Sequence, residues 1–386
     1  MNTSWWKSQT ELDEDQKAFI LLPPQGKHLL EGPPGSGKTN LLLLRAQYMA
    51  GSGEKNILII TYTNALAEFI RSGISGKKLI SAKQIRTYHS WAGEHILHHL
   101  GAGALPKGSE FDDETRKELL KLVVQANKKL SSPRLYSAIF VDEAQDFSVE
   151  ELDALLCLSD KVCICGDSRQ GIYNRDGLDV AKSLHLQKHL LKRHFRIGQR
   201  IAQVADRLMP PFDGHDSLES TSNYNPKIQG VSSANMHACA SRDEQFERMV
   251  DLLRIQLDAF KSDSIGIFCG TKDTRVELRR RFDRTDLRDL VFAHGLDQGA
   301  TFGAGRPIHI MTIYAAKGTE FRAVHMFGVE ELAHFPLNRT KLSFTAITRA
   351  KTALNAFRTG DTNAALENAF AEPRHFDLGD LLPGEV

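Results

Sequence analysis

The chain of 386 residues is 41% apolar and 25% charged, with a formal net charge of +1. Its length exceeds one ordinary hydrophobic core and indicates two domains of about 150 to 200 residues, while near-neutrality excludes a global field drawing it onto nucleic acid, so any such binding needs a local groove. No apolar run approaches the roughly 18 residues that cross a bilayer, and no basic stretch followed by an apolar one opens the chain, so a cytoplasmic protein with no membrane partner is expected.

Near the N-terminus, Trp5-Trp6 reads as a packing staple. The acidic run Asp13-Glu14-Asp15 caps a helix that carries Gln16, whose amide can both donate to and accept from an adenine edge. His28 to Glu31 reads as a strand, and the stretch after it, Gly32-Pro33-Pro34-Gly35-Ser36-Gly37-Lys38-Thr39, fits the phosphate-loop pattern G-x-x-x-x-G-K-[ST]. Its glycines let backbone N–H groups close on a polyphosphate. Lys38 brings a mobile charge to the β- and γ-phosphates, Thr39 offers a hydroxyl to Mg²⁺, and the helix over Leu41 to Met49 directs its positive end at the anion.

Ile57 to Tyr62 is a continuous run suited to a strand buried on both faces, and it leads through Thr63 and Asn64 into a helix. A second strand-to-helix junction, Ile85 to Trp91, sets Thr87, Tyr88 and His89 at its tip. Hydroxyls and aromatics at such tips suit single-stranded nucleic acid, and they suit ordinary turns equally well. Residues 92 to 135 read as helical with a break at Gly101 to Gly108, and His95, His98 and His99, lacking a carboxylate or cysteine at ligand spacing, read as a solvated face. Ser137 to Val141 is an apolar strand ending in Asp142 and Glu143, the first suited to holding Mg²⁺ and the second to orienting or deprotonating water. The strand Lys161 to Cys165 leads to Gln170, placed to sense a γ-phosphate, and to Tyr173. The five cysteines, 157, 163, 165, 239 and 269, form no C-x-x-C pair and read as reduced core residues.

The two halves join near Leu184 to Leu191, giving domains of 1–187 and 188–386. After His194-Phe195-Arg196 come a helix from Gln199 to Leu208, a loop-rich stretch over 210–240, a helix from Asp243 to Phe260, a strand from Ile265 to Cys269 and a further helix through Arg281. The basic cluster Arg275, Arg279, Arg280, Arg281, Arg284 and Arg288 is interleaved with acids and reads as a solvated helix face. Strands Ile308 to Thr312 and Ala323 to Phe327 follow, with a helix holding Phe344 to Lys351. Strands alternating with helices in both halves indicate two α/β domains with parallel sheets flanked by helices.

In order along the chain, Gln16, the phosphate loop, Thr61 to Asn64, Thr87 to Ser90, Asp142-Glu143-Ala144-Gln145-Asp146, Gly166-Asp167 with Gln170, Phe195-Arg196, Lys317-Gly318 with Glu320, and Thr348-Arg349-Ala350 resemble the motifs of UvrD/Rep-like superfamily-one helicases. The resemblance implies two RecA-like P-loop NTPase domains with ATP and Mg²⁺ between them. By position it implies that Gln16 reads adenine, Phe195 stacks on it, Gly318 and Glu320 border the ribose, and Arg196 and Arg349 reach the γ-phosphate, so that hydrolysis is coupled to cleft closure. Single-stranded or partly duplex DNA would then pass Tyr62, Thr63, Asn64, Thr87, His89, Tyr173 and Tyr314. Three departures stand out. The large insertions of the family are reduced to residues 92–135 and a loop at 285–305, Asn174-Arg175 stands where the family has a base-stacking aromatic, and Tyr314 replaces a DNA-contacting histidine. Two functions are therefore expected: a DNA-stimulated ATPase with translocase or limited helicase activity, or an ATPase switch controlling a partner such as a nuclease in anti-phage defence or DNA repair. A phosphate-loop small-molecule kinase would leave Arg349 and the second domain unexplained.

Overall fold

The computed structural model describes residues 12–73, 79–106, 112–173, 175–211, 216–261, 263–298 and 305–371; Trp5-Trp6 and Asn174 lie outside them. In chain order the first half contains α1 (Glu14–Ile20), β1 (Lys27–Glu31), α2 (Lys38–Gly51), β2 (Ile57–Thr61), α3 (Asn64–Gly73), β3 (Ile85–Thr87), α4 (Tyr88–Leu100), α5 (Asp113–Lys128), β4 (Ala138–Val141), α6 (Val149–Leu156), β5 (Val162–Gly166), α7 (Val180–Ser183) and β6 (Gln187–Leu190). The second contains α8 (Gln199–Leu208), α9 (Pro226–Gln229), β7 (Ser233–Cys239), α10 (Arg242–Ala259), β8 (Ile265–Cys269), α11 (Lys272–Phe282), β9 (Val291–Ala293), β10 (Ile308–Thr312), β11 (Phe321–Phe327), α12 (Thr340–Ile347), β12 (Ala350–Thr359) and α13 (Ala364–Phe370).

The strands form two six-stranded sheets, ordered β3-β2-β4-β5-β1-β6 and β7-β12-β11-β8-β10-β9. Every pairing between them is parallel. That agrees with the α/β expectation and has a direct cause. Strands β2, β4, β5, β8 and β10 are buried at every position, so apolar residues such as Ile57, Leu58, Ile59 and Ile60 face helices on both sides of their sheet. Parallel strands run the same way, which gathers the loops after β1, β2, β4 and β5 at one edge.

Several elements differ from the sequence reading. Strand β6, within the stretch Leu184 to Leu191 read as the join between halves, pairs with β1 and extends the first sheet through Leu190. Strand β7 lies in the stretch expected as loop, and β9 forms within 285–305. The helix carrying Phe344 stops at Ile347, and Lys351 already belongs to β12. His95 is buried with its Nε2 2.8 Å from Asn127 Oδ1 instead of facing solvent, and Cys157 is exposed, unlike the other four cysteines. The arginines of α11 are acid-paired, Arg279 with Asp283 and Asp297 and Arg281 with Glu277 and Asp243, but Arg275, Arg279 and Arg281 are half-buried and of the helix's arginines only Arg280 is exposed, unlike the solvated face expected.

His325, on β11, is fully buried, with Nε2 2.7 Å from Gln256 Oε1. Burial, with the charge of His237 adding to it, pushes its pKa down to about 3. The unfolded imidazole, with a pKa of about 6.5, takes up a proton that the folded one refuses, so stability falls as pH drops below about 6.5. In urea titrations between pH 7 and 5, His325→Asn should show a shallower loss of stability than wild type, by up to about 1.4 kcal/mol per pH unit.

Candidate functional site

The phosphate loop joins β1 to α2, and its shape depends on two glycines, Gly35 at φ +78° and Gly37 at φ +89°, in the left-handed region where a Cβ is strained. Lys38 Nζ donates to the carbonyls of Gly32 at 2.8 Å and Pro33 at 3.1 Å, so the ammonium is held inside the curl of the loop it would leave to meet a phosphate. Ser36 Oγ is fully buried there with no hydrogen-bond partner. Pro34 lines the cavity above.

Gln16 is fixed on this loop from the side. Asp13 caps α1 by accepting from Gln16 N at 2.8 Å, Gln16 Oε1 accepts from Asp13 N at 3.2 Å, and Gln16 Nε2 donates to Ser36 O at 3.2 Å.

Asp142 and Glu143 end β4 beside the loop, and their environments separate them. Thr39 Oγ1 donates to Asp142 Oδ2 at 2.7 Å, while Glu143 N and Cys165 Sγ both donate to Oδ1 at 2.9 Å. Burial first, then the neighbouring Glu143 charge, pushes the Asp142 pKa up to about 6. Glu143 is equally buried, yet the cations Lys317, Arg349 and Lys38 outweigh that burial and hold its carboxyl below the usual range. Its backbone is left-handed, at φ 55°, and Gln145 Nε2 donates to its Oε2. The hydroxyl of Thr39 and the carboxylate of Asp142 form an oxygen donor set that suits Mg²⁺. The orphaned Ser36 hydroxyl and the glycine-shaped curl fit a bound polyphosphate.

The second half closes the cavity. Phe195 N donates to Gly35 O at 3.1 Å. Arg196 pairs with Glu320 at 2.7 Å and donates to Thr348 O at 2.8 Å. Lys351 holds the other Glu320 oxygen at 2.6 Å. Although burial opposes it, these two cations bring the Glu320 pKa down to about 2. Arg349 is buried, donates to Thr345 O at 3.1 Å and reaches across to Gln170 Oε1. Burial and the nearby Arg196 lower its pKa to about 10, which leaves it cationic at neutral pH. Gln170 in turn donates to Asp167 Oδ2 at 2.7 Å. A cavity of about 450 Å³ is thus lined from both halves by Gln16, Lys38, Thr39, Glu143, Gln170, Phe195, Gly318, Glu320 and Arg349.

The residues expected to meet nucleic acid are not among those lining this cavity. Tyr62 is buried, its hydroxyl accepts from Arg116 Nη1 at 2.5 Å, and its ring lies 4.7 Å from that of Tyr173, which lies 5.9 Å from Tyr314. Thr87 is buried as the N-cap of α4, and Thr63 Oγ1 accepts from Leu66 N at 3.2 Å. Asn64 is exposed and His89 half-buried, 6.4 Å from the Tyr62 ring. The Arg175 guanidinium sits over both Tyr62 and Tyr173, at 6.0 and 5.7 Å.

The sequence motif Lys317-Gly318 names Lys317 without giving it a role, and it does not reach Lys351. Lys317 is buried and donates to Asp146 Oδ1 at 2.6 Å and to Gln170 O, with Glu143 at 3.8 Å. A lysine next to Gly318 in a motif-like stretch was the available signal, but nothing local tells which carboxylates it faces. Lys317→Met should leave the buried Asp146 without its paired cation and Glu143 with one cation fewer, and cost about 3 kcal/mol in denaturant unfolding, with Asp146→Asn in the same chain restoring part of the loss.

Residues 16–176 match the family model of an AAA domain, and residues 307–356 match that of the UvrD-like helicase C-terminal domain. No curated protein matches the sequence. Among solved structures, the PRRSV helicase is similar at 14% identity and TM-score 0.40 over 89% of this chain and 54% of that one, so this chain spans about half its length. The C-terminal domain of a possible DNA helicase from Lactobacillus plantarum WCFS1 is similar at 16% identity and TM-score 0.33, over 45% of this chain and 91% of that one.

Proposed function

We propose that the chain is a UvrD-like superfamily-one helicase, a motor that hydrolyses ATP between two RecA-like domains to translocate on or unwind DNA, a reading supported by the matches of its two halves to an AAA domain and to a UvrD-like helicase C-terminal domain. The first domain is taken to run through β6 and the second to begin beyond it. The observation that carries this reading is the cavity lined from both halves, with Lys38 and Glu143 on one wall and Arg349 on the other.

On this reading Gln16 recognises the base, Phe195 packs on it and Glu320 borders the ribose. Lys38 leaves the carbonyls of Gly32 and Pro33 for the phosphates. Thr39 and Asp142 would hold Mg²⁺, which would neutralise phosphate charge there. Glu143, kept anionic by surrounding cations, orients the attacking water and accepts its proton. Gln170 and Arg349 face the γ-phosphate together, and because their bond crosses the cleft, the transition state is best stabilised when the cleft is closed. Arg196 joins them on release from Glu320. Tyr173 and Tyr314 offer the DNA a path from one domain to the other.

A second reading, an ATPase switch acting on a partner such as a nuclease, is favoured by one observation. Several DNA-facing positions are already engaged within the protein, Tyr62 by Arg116, Thr87 as a cap and the tyrosine pair by Arg175. Copurification from the native host separates the two: a stoichiometric partner supports the switch, and a lone protein that displaces an annealed strand supports the motor.

ATP turnover measured with single-stranded DNA, duplex DNA, RNA and no nucleic acid should rise with single-stranded DNA, and no stimulation by any of them would sink the motor reading. Lys38→Ala should abolish turnover. Arg349→Ala should lower kcat by about 10³ or more while nucleotide affinity, read by titration calorimetry, changes only a few-fold, because its charge is needed chiefly in the transition state; equal loss of both would make it structural.

A further inference from the structure

Arg45 lies on α2, the helix that begins with Lys38 and Thr39, and its side chain is fully buried. Among the described residues no carboxylate pairs with it. Its guanidinium instead gathers the chain leaving α1: Nη1 donates to the carbonyls of Phe19 at 3.4 Å, Ile20 at 3.3 Å and Leu22 at 2.9 Å, and Nη2 to Pro23 at 2.9 Å. A helix end leaves carbonyls without intrahelical donors, and Pro23-Pro24 contributes no N–H to them. Phe19 is buried, Ile20 and Leu22 are half-buried and Pro23 is exposed, and all four carbonyls turn to the buried Arg45, whose planar fork of five donors can serve several at once and whose charge suits the negative end of a helix.

The consequence concerns Gln16. Helix α1 has only seven residues, too few to persist unaided, and it carries Gln16 in its first turn. It is fixed at three places: by Phe19 in the core, by Gln16 on the phosphate loop at Ser36 O, and by Arg45 at its far end. Both polar anchors belong to the phosphate loop or the helix it opens.

We propose that Arg45 is a positioning residue for base selection, holding α1 so that the Gln16 amide keeps the orientation that distinguishes adenine from guanine. The inference rests on the reading of Gln16 as the base-recognising group. Removing the guanidinium would strip the carbonyls of Ile20, Leu22 and Pro23 of their side-chain donor, while Phe19 O keeps the amide of Leu22, and would let α1 fray and leave the Gln16 amide free to turn.

The experiment measures affinity for ADP and for GDP by titration calorimetry in wild type, Gln16→Ala, Arg45→Met and the double variant, with hydrogen exchange at the α1 amides Lys17 and Leu21 in the absence of nucleotide. Arg45→Met should reduce the preference for ADP to within about threefold of that of Gln16→Ala, and the double variant should lose no more than either alone, because the two act as one unit. Exchange at Lys17 and Leu21 should accelerate by about tenfold or more. A wild-type preference in Arg45→Met, or multiplied losses in the double variant, would overturn the proposal. If Arg45→Met does not fold, Arg45→Lys decides: an intermediate preference supports it and a wild-type preference overturns it. If Gln16→Ala itself keeps the wild-type preference, the base-reading role of Gln16 is wrong and this proposal goes with it, an outcome distinct from failure at Arg45 alone.

Discussion

Two buried cations bridge the sheets, and the cavity depends on them. Lys317 comes from the loop after β10 and ends between Asp146 and Gln170 O, while Arg349 comes from the turn before β12 and ends on Gln170 Oε1. A charge buried without a partner costs several kcal/mol, so each of these side chains favours an arrangement in which both halves are present and facing. Loss of that arrangement exposes Lys317 and Arg349 to water, which relieves their burial while removing two of the three cations that keep Glu143 ionised and leaving only Lys38 on its own half. The relative position of the halves and the protonation preference of the carboxylates are therefore one problem in electrostatics.

The same constraint separates two neighbouring acids. Asp142 and Glu143 share burial and adjacency, yet the first is driven toward protonation and the second away from it. The difference lies in what each faces. Asp142 looks toward a hydroxyl, a thiol and a backbone amide, which are neutral donors, and Glu143 looks across the cleft at cations. A hard divalent ion beside Asp142 would supply the charge its surroundings lack.

The central strands were legible from sequence because burial on both faces demands uninterrupted apolar runs such as Ile57 to Ile60. The strands that escaped notice lack that signal. Strand β6, Gln187–Leu190, is a solvated edge, and β7 mixes exposed and buried positions in the sequence Ser-Ala-Asn-Met-His-Ala-Cys. Strand β12 reads Ala-Lys-Thr-Ala-Leu-Asn-Ala-Phe-Arg-Thr, in which the helix formers Ala, Lys, Leu and Arg outnumber the rest, and is extended because β11 and β7 flank it. In the site, the phosphate loop and the acids after β4 declared themselves because their chemistry is local. Lys317, Lys351 and Arg45 did not, since each takes its meaning from partners far along the chain, at Asp146, at Glu320 and at the carbonyls that close α1.

Strand order in the first sheet also bears on the birth of the protein. Strand β1, which ends in the phosphate loop, leaves the ribosome before the other strands of its sheet, yet among the described residues its sheet neighbours are β5 and β6, at residues 162–166 and 187–190. Strands β2, β3 and β4 can pair among themselves well before that. The nascent chain therefore has a waiting period in which β2, β3 and β4 can assemble while β1, Leu29 and Leu30 included, has no strand to lie against. The nucleotide loop, earliest in sequence, is among the last parts of its sheet to be built, and a chain released before about residue 190 cannot complete it.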